Sequence, residues 1–306
     1  MSYQTQTINQ LLTAVDKIVD DILNDKHNSI DPYQMALDLN ELYPAMMHHH
    51  RSTLVYTKTI KWFVATGQIL KGEHYPSEVK WDDESAQQFM DEIKTYMPEY
   101  RLNKKMFALQ EVENTETLNK HLDDLTGHHG RLLFVRVDLH YRMHGIGENS
   151  IDNFHKYMKV FLKRIEKEDG CFKGLHGYAW ALEQGYKGDC NLHCHLLIIY
   201  DASKHQKESY LGQAIGEKWV SIIEGQGHYF NVSNPNHVKG FEKLGKRGVG
   251  RIHSNNENEV QNAIRTSIYL TTKEDKYEQR LKVKVPNMKT FSCSTFPKKK
   301  NRGIKR

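Results

Sequence analysis

The sequence predicts an α+β fold, in which a helical N-terminal portion precedes a mainly antiparallel sheet flanked by helices. Three observations carry that prediction. Ile8, Leu11, Leu12, Val15, Ile18, Val19, Ile22 and Leu23 keep a 3.6-residue apolar period. Residues 131–141 are dense in β-branched and aromatic side chains, and residues 191–200 form an apolar run of strand length. Strand-like and helix-like segments then follow one another, with strands close enough in sequence to pair directly.

The first period makes one amphipathic helix. Asp31-Pro32 is a helix start with proline at the first helical position, leading into Met35, Leu39 and Leu42. Residues 54–70 and 85–97 read as further helices separated by a loop over 72–83, and His48-His49-His50 reads as a helix end rather than a metal site. The character changes at Gly127-His128-His129-Gly130. A strand over 131–141 is followed by a helix over 151–167, with Phe154, Met158, Phe161 and Ile165 on one face. Strands over 175–183 and 191–200 come next, then a helix over about 207–223 and a Gly-rich loop over 240–250. Ser254-Asn255-Asn256-Glu257 has the form of a capping box, with Ser254 at the N-cap and Glu257 at N3. It opens a helix through Val260, Ala263, Ile264, Ser267 and Ile268 that carries Tyr269. The expected division is a helical domain of unknown role over 1–125, a second domain over 126–285 and a basic tail over 286–306.

With 306 residues the chain can bury a sizeable core. No apolar stretch approaches the roughly 18 residues of a membrane span, and Met1-Ser2-Tyr3-Gln4-Thr5-Gln6 lacks a signal-peptide pattern, so no membrane partner is expected. Four cysteines, Cys171, Cys190, Cys194 and Cys293, do not suggest a disulfide scaffold, and a reducing cytoplasm is the expected setting. The net charge of +5 hides a polarity along the chain. Residues 1–125 carry 12 Lys/Arg against 20 Asp/Glu, whereas residues 276–306 carry 11 against one. Lys298, Lys299, Lys300, Arg302, Lys305 and Arg306 suit phosphate contacts with a nucleic acid, the plainer alternative being a solvated terminus.

Alternation along a strand projects His193 and His195 to one face and turns Cys194 away. Tyr186-Lys187-Gly188-Asp189 is turn chemistry, so the second and third strands should form a hairpin. Centring the hairpin on those four residues places Glu183 opposite Leu192, and one bulge would place it opposite His193. Glu183 is the acid best placed to join the two histidines. Two nitrogens and a carboxylate with open positions suit a catalytic divalent metal, Mn²⁺ in affinity even where Mg²⁺ is the ion supplied. The rival reading is structural zinc on Cys190, His193, Cys194 and His195, which strand alternation opposes. Histidines of the core or surface are the plain alternative.

Helical spacing brings Tyr269 and Lys273 together, and a tyrosine with a cation one turn away can attack a phosphate. Tyr100/Lys104 and Tyr200/Lys204 share the spacing. Tyr200 ends the histidine strand, however, and Tyr100 follows Pro98 in the acidic part. Tyr277, roughly 80° further round a helix, is a poorer second nucleophile. The plain reading of Tyr269 is a half-buried helix tyrosine.

In this order the motifs resemble the HUH endonucleases of Rep type, and most of all the inovirus-type replication initiators of filamentous phages and prophages. Phe134-Val-Arg-Val-Asp-Leu-His-Tyr141 is similar to the first strand motif, Glu183 to the acid, His193/His195 to the metal pair and Tyr269/Lys273 to the nucleophile helix. Trp180-Ala-Leu-Glu183 and Lys289-Thr290-Phe291-Ser292-Cys293-Ser294 are also similar to inovirus-type sequences. The resemblance spans about residues 130–295, and Cys194 departs from the usual aliphatic residue between the histidines. It implies an HUH/Rep-like central sheet and a metal-dependent, site-specific nicking and joining of single-stranded or hairpin origin DNA. The intermediate would be a 5′-phosphotyrosine, the role the start of rolling-circle replication, and a host helicase or polymerase a further partner. The alternatives are a transposase or relaxase mobilising an element and, from another class, a non-catalytic DNA-binding regulator on the same fold.

Overall fold

A computed structural model describes residues 7–25, 27–72, 75, 77–142, 150–185, 192–272 and 275–295. The first helix, α1 (Ile8–Asn24), starts at a Thr7/Gln10 capping box and buries every residue of its predicted apolar stripe except the partly buried Ile8. Asp31 caps α2 (Pro32–His49) through its side chain, with Pro32 at the first helical position and His49 the last helical residue. Helices α3 (Lys58–Lys71) and α4 (Asp83–Thr95) complete a helical unit closed by an edge-to-face cluster of Tyr43, Phe63, Trp81 and Phe89. The segment expected to be helical from residue 54 instead opens with a short strand, β1 (Val55–Tyr56).

The long helix α5 (Met97–His128) leads to the sheet, and the expected boundary at 125/126 falls within its last turn. Strand β2 (Arg131–Tyr141) begins the sheet, α6 (Ser150–Glu166) follows, and β3 (Leu175–Gln184) and β4 (Leu192–Asp201) form the hairpin. Next come α7 (Glu208–Ile222), β5 (Gly227–Asn231), α8 (Pro235–Lys243), β6 (Gly250–His253) and α9 (Glu257–Ile268). The short strands β7 (Val283–Lys284) and β8 (Phe291–Cys293) end the series, β8 lying within the stretch expected to be a tail. Six strands form one antiparallel sheet in the order β5-β2-β4-β3-β8, with β6 sharing the β2 edge, and β1 pairs β7 separately. The architecture is α+β.

Strand alternation sends the sheet's side chains into two cores. Leu133, Val135, Val137, Leu139, Cys194, Leu196 and Ile198 pack under α6 and α7, on Phe154, Phe161 and Trp219. Leu132, Phe134, Ala179, Ala181, Leu197 and Ile199 pack under α5 and α9, on Leu118, Leu122, Leu125 and Ala263. The first core is continuous with the helical unit. Polar contacts reinforce that joint. Asn9 donates to the Gly185 carbonyl at 3.1 Å, and Asp16 accepts from Arg280 at 2.7 Å with Lys282 Nζ at 3.2 Å. Among the described residues no helix is long and apolar enough to cross a membrane.

Two local expectations are corrected. Asn256, not Ser254, caps α9 and accepts from the Glu259 amide. Ser254 instead donates its amide and hydroxyl to the Gly130 carbonyl, and Glu259 turns back to the His253 amide. The expected loop over 240–250 holds the end of α8 and the start of β6.

Candidate functional site

On the α5/α9 face, the apolar rows of the sheet give way to polar ones at one end. Along β2 the row runs Leu132, Phe134, Arg136, Asp138, His140, and along β4 it runs Ile199, Leu197, His195, His193. The register pairs Asp138 with His195 and His140 with His193, and across the hairpin Glu183 with His193. Glu183 thus stands one position from the turn-centred expectation, with Gln184 opposite Leu192, and the register irregularity lies elsewhere, at Leu175/Gly177. Cys194 is fully buried on the opposite face, between Leu139 and Leu182, which removes it from any set made with the two histidines. Cys190, the other cysteine of the zinc alternative, lies outside the described residues.

His195 is held at both ring nitrogens. Nδ1 lies 2.7 Å from Asp138 Oδ1 and Nε2 3.0 Å from Glu183 Oε2. Burial pulls this imidazole toward the neutral form, but the two carboxylates outweigh it and raise its pKa. Burial likewise pushes Asp138 and Glu183 up, and the hydrogen bonds and charge of His195 hold both well below the usual carboxylate range. Arg136 adds charge to Asp138, its Nε lying 3.5 Å from Oδ1. Lys276 adds charge to Glu183, donating to Oε1 at 2.8 Å and to the Leu270 carbonyl at 2.7 Å.

A second cluster lies at the rim. The His140 ring stacks on His228 of β5 at 4.4 Å and meets His193 at 4.4 Å. Burial, with the two neighbouring imidazoles, pulls His140 down to about 3. The β5 backbone approaches closely here, since a Cβ on Gly227 would sit 2.1 Å from the His140 carbonyl oxygen.

Tyr269 faces this site from α9. Its ring centroid lies 6.4 Å from that of His195, the Arg136 guanidinium lies 4.9 Å from it, and the residue is 43 % exposed. The helix stops at Ile268, so Tyr269 occupies the C-cap and the one-turn argument for Lys273 does not carry through. Thr271 and Thr272 end it by returning both amides and both hydroxyls to the Ile268 carbonyl. Lys273 itself lies outside the described residues, as do Lys298, Lys299, Lys300, Arg302, Lys305 and Arg306. No family model, no curated protein and no solved structure matches the chain.

The other tyrosines are occupied elsewhere. Tyr200 is buried and donates to the Cys171 carbonyl, and Tyr100 donates to Asp20 and accepts from Lys104. Burial pushes Tyr277 up to about 12, and its ring lies against the Arg280 guanidinium at 3.8 Å. Sequence reasoning missed Asp138, Arg136, His140, His228 and Lys276. Asp138 carried a signal, being in phase with the polar end of a strand otherwise apolar on that face. The position of Lys276 follows from the turn after α9, which no spacing rule announces.

The donor set suits a divalent metal in kind, with two imidazoles and a carboxylate on one sheet face. His195 Nε2 and Glu183 Oε2 already converge, and His193 stands opposite Glu183. Among the described residues no three His, Cys, Asp or Glu side chains already close on one point.

Proposed function

We propose that the chain is a metal-dependent, site-specific endonuclease that nicks and rejoins single-stranded DNA through Tyr269. In this reading it is an HUH protein of Rep type that starts rolling-circle replication of a phage, satellite or prophage element. The observation that supports it best is that His195 of β4, bonded to Glu183 of β3, meets the ring of Tyr269 at the C-cap of α9.

The reaction is a transesterification. The Tyr269 oxygen bonds to phosphorus and gives up its proton, while the bond from phosphorus to O3′ breaks. The departing oxygen keeps the electron pair and gains a proton, leaving a free 3′-OH and a 5′-phosphotyrosine. That linkage conserves the phosphodiester energy, so a 3′-OH can reverse the step and rejoin the ends. His193, His195 and Glu183 would hold Mn²⁺ or Mg²⁺, which as a Lewis acid would polarise the phosphate. With the metal bound, Asp138 would hold a proton on His195 Nδ1 and leave Nε2 as the ligand atom. Arg136 and Lys276 place positive charge on either side of the site, where charge develops on the phosphate.

The test is incubation with labelled single strands that include the element's intergenic hairpins, with Mn²⁺, read by denaturing gel and mass spectrometry. A covalent adduct on Tyr269, lost in Tyr269→Phe and in His193→Ala, is expected. Tight binding of these strands with no adduct on any of them would overturn the reading in favour of a DNA-binding regulator.

A further inference from the structure

Beside Tyr269 a cleft of about 620 Å³ opens between β5, α8 and α9, within the roughly 300–1,000 Å³ span of ligand sites. Its floor is Arg136 and Asp138, so it is continuous with the site above. One wall is aromatic. Phe230 stands opposite Asp138 in the sheet register, the His237 ring meets it edge-on at 5.1 Å, and Phe241 follows one turn along α8, 5.3 Å from His237. Phe230 and Phe241 are 45 % and 46 % exposed and both touch the His237 ring, so together they form one exposed aromatic patch. The rim carries Lys246 and Arg265, both exposed and, among the described residues, in no ion pair. Arg247, the third cation, is already paired with Glu208 and Glu242.

Exposed rings that offer a stacking face, cations at the rim and a tyrosine nucleophile at the inner end together match one chemistry: a flat heteroaromatic ring joined to a phosphate. An alkyl ligand would leave the cations unused, and a bare anion would leave the rings unused. We propose that this cleft takes one unpaired base of the DNA strand, stacked on Phe230 and Phe241 with its backbone toward Arg265 and Lys246. Seating that base fixes which phosphate is presented to Tyr269. This rests on the nicking reading and adds to it a place where the strand's register is set. Because every base has a π-face, stacking here sets the spacing from the seated base to the phosphate, and the choice of sequence is left to contacts elsewhere along the strand.

The experiment is a fluorescence-anisotropy titration of the full-length Tyr269→Phe chain in EDTA, so that no cleavage is involved. The probes are a short oligodeoxyadenylate and an abasic strand of the same length and charge. The parent should prefer the oligodeoxyadenylate. Replacing both Phe230 and Phe241 with alanine should weaken it by roughly 5- to 100-fold and leave the abasic strand unaffected. Phe241→Trp should keep the preference, and Arg265→Ala should weaken both strands alike. The proposal is overturned if the double alanine variant holds oligodeoxyadenylate as tightly as the parent, or loses both strands equally. It is also overturned if free deoxyadenosine monophosphate binds as tightly as the oligomer, which would make the cleft a free-nucleotide site. Failure of the nicking reading would be seen separately, as no adduct on Tyr269 while base-dependent binding persists.

Discussion

Replacing Asp16 with alanine should destabilise the protein although Asp16 lies far in sequence from the sheet. One carboxylate there faces two cations. Arg280 Nη2 lies 2.7 Å from one oxygen and Lys282 Nζ 3.2 Å from the other, with side-chain exposures of 9 %, 10 % and 3 % for Asp16, Arg280 and Lys282. Removing the acid leaves two buried cations without their counter-charge, Arg280 keeping only the Tyr277 carbonyl and Lys282 the Glu278 carbonyl, a change that costs about 3–5 kcal/mol where one partner of a buried pair is lost. Lys282 can relieve part of this by releasing its proton, since burial already pulls its pKa down. Arg280 cannot. Unfolding entropy scales at about 2 cal/mol/K per residue, so for 306 residues the loss corresponds to about 5–8 °C in Tm. Thermal melting followed by circular dichroism reads it directly, and Lys282→Met in the Asp16→Ala background should recover part of the loss. A melting point within about 2 °C of the parent, or no recovery in the double variant, would refute the reasoning.

Three further outcomes follow from the site and its surroundings. Lys276→Met removes the cation on Glu183, so Mn²⁺ should raise Tm more in this variant than in the parent; equal shifts in a thermal-shift assay would count against the metal assignment. Cys194→Ser places a hydroxyl in the apolar layer and should cost about 1–3 kcal/mol on melting, yet leave Mn²⁺ affinity by calorimetry unchanged. A large drop in affinity would restore Cys194 as a ligand. His121 is buried on α5 beside the Ser294 hydroxyl, and burial pulls its pKa below the usual 6.5. The unfolded chain therefore takes up this proton first. The resulting stability is complete above about pH 6.5 and is lost as pH falls toward the lowered folded value. Tm should be lower near pH 5.5 than near pH 7.5, and His121→Gln should narrow that difference; an unchanged difference would exclude His121 as its source.

The parts of the fold set by local pattern were legible. The α1 stripe, the Asp31-Pro32 start and the three long strands follow from side-chain period and turn chemistry. The shared face of His193 and His195 followed from alternation alone. Parts that depend on partners distant in sequence were not legible. Asp138 meets His195 because β2, and not only the hairpin strand β3, lies beside β4. β5 is only five residues long, with exposed Phe230, and takes its place from the free edge of β2 rather than from a strong pattern of its own. The end of α9 was misplaced because threonines fit a helical pattern in sequence, whereas their hydroxyls here compete for the last carbonyl. The low charge balance of the first 125 residues said nothing of the way Asp16 grips Arg280 and Lys282.

The pairing of β1 with β7 bears on the order in which the molecule can be assembled. During synthesis, residues 55–56 leave the ribosome long before residues 283–284 exist to pair with them. Asp16 and Thr57 wait over the same interval, because their partners Arg280 and Lys282 belong to the same late segment. Contacts of such wide sequence separation form slowly. The histidine strand can therefore be in place while Lys276 has yet to reach Glu183, so the polar site is completed only after residue 276 has been made.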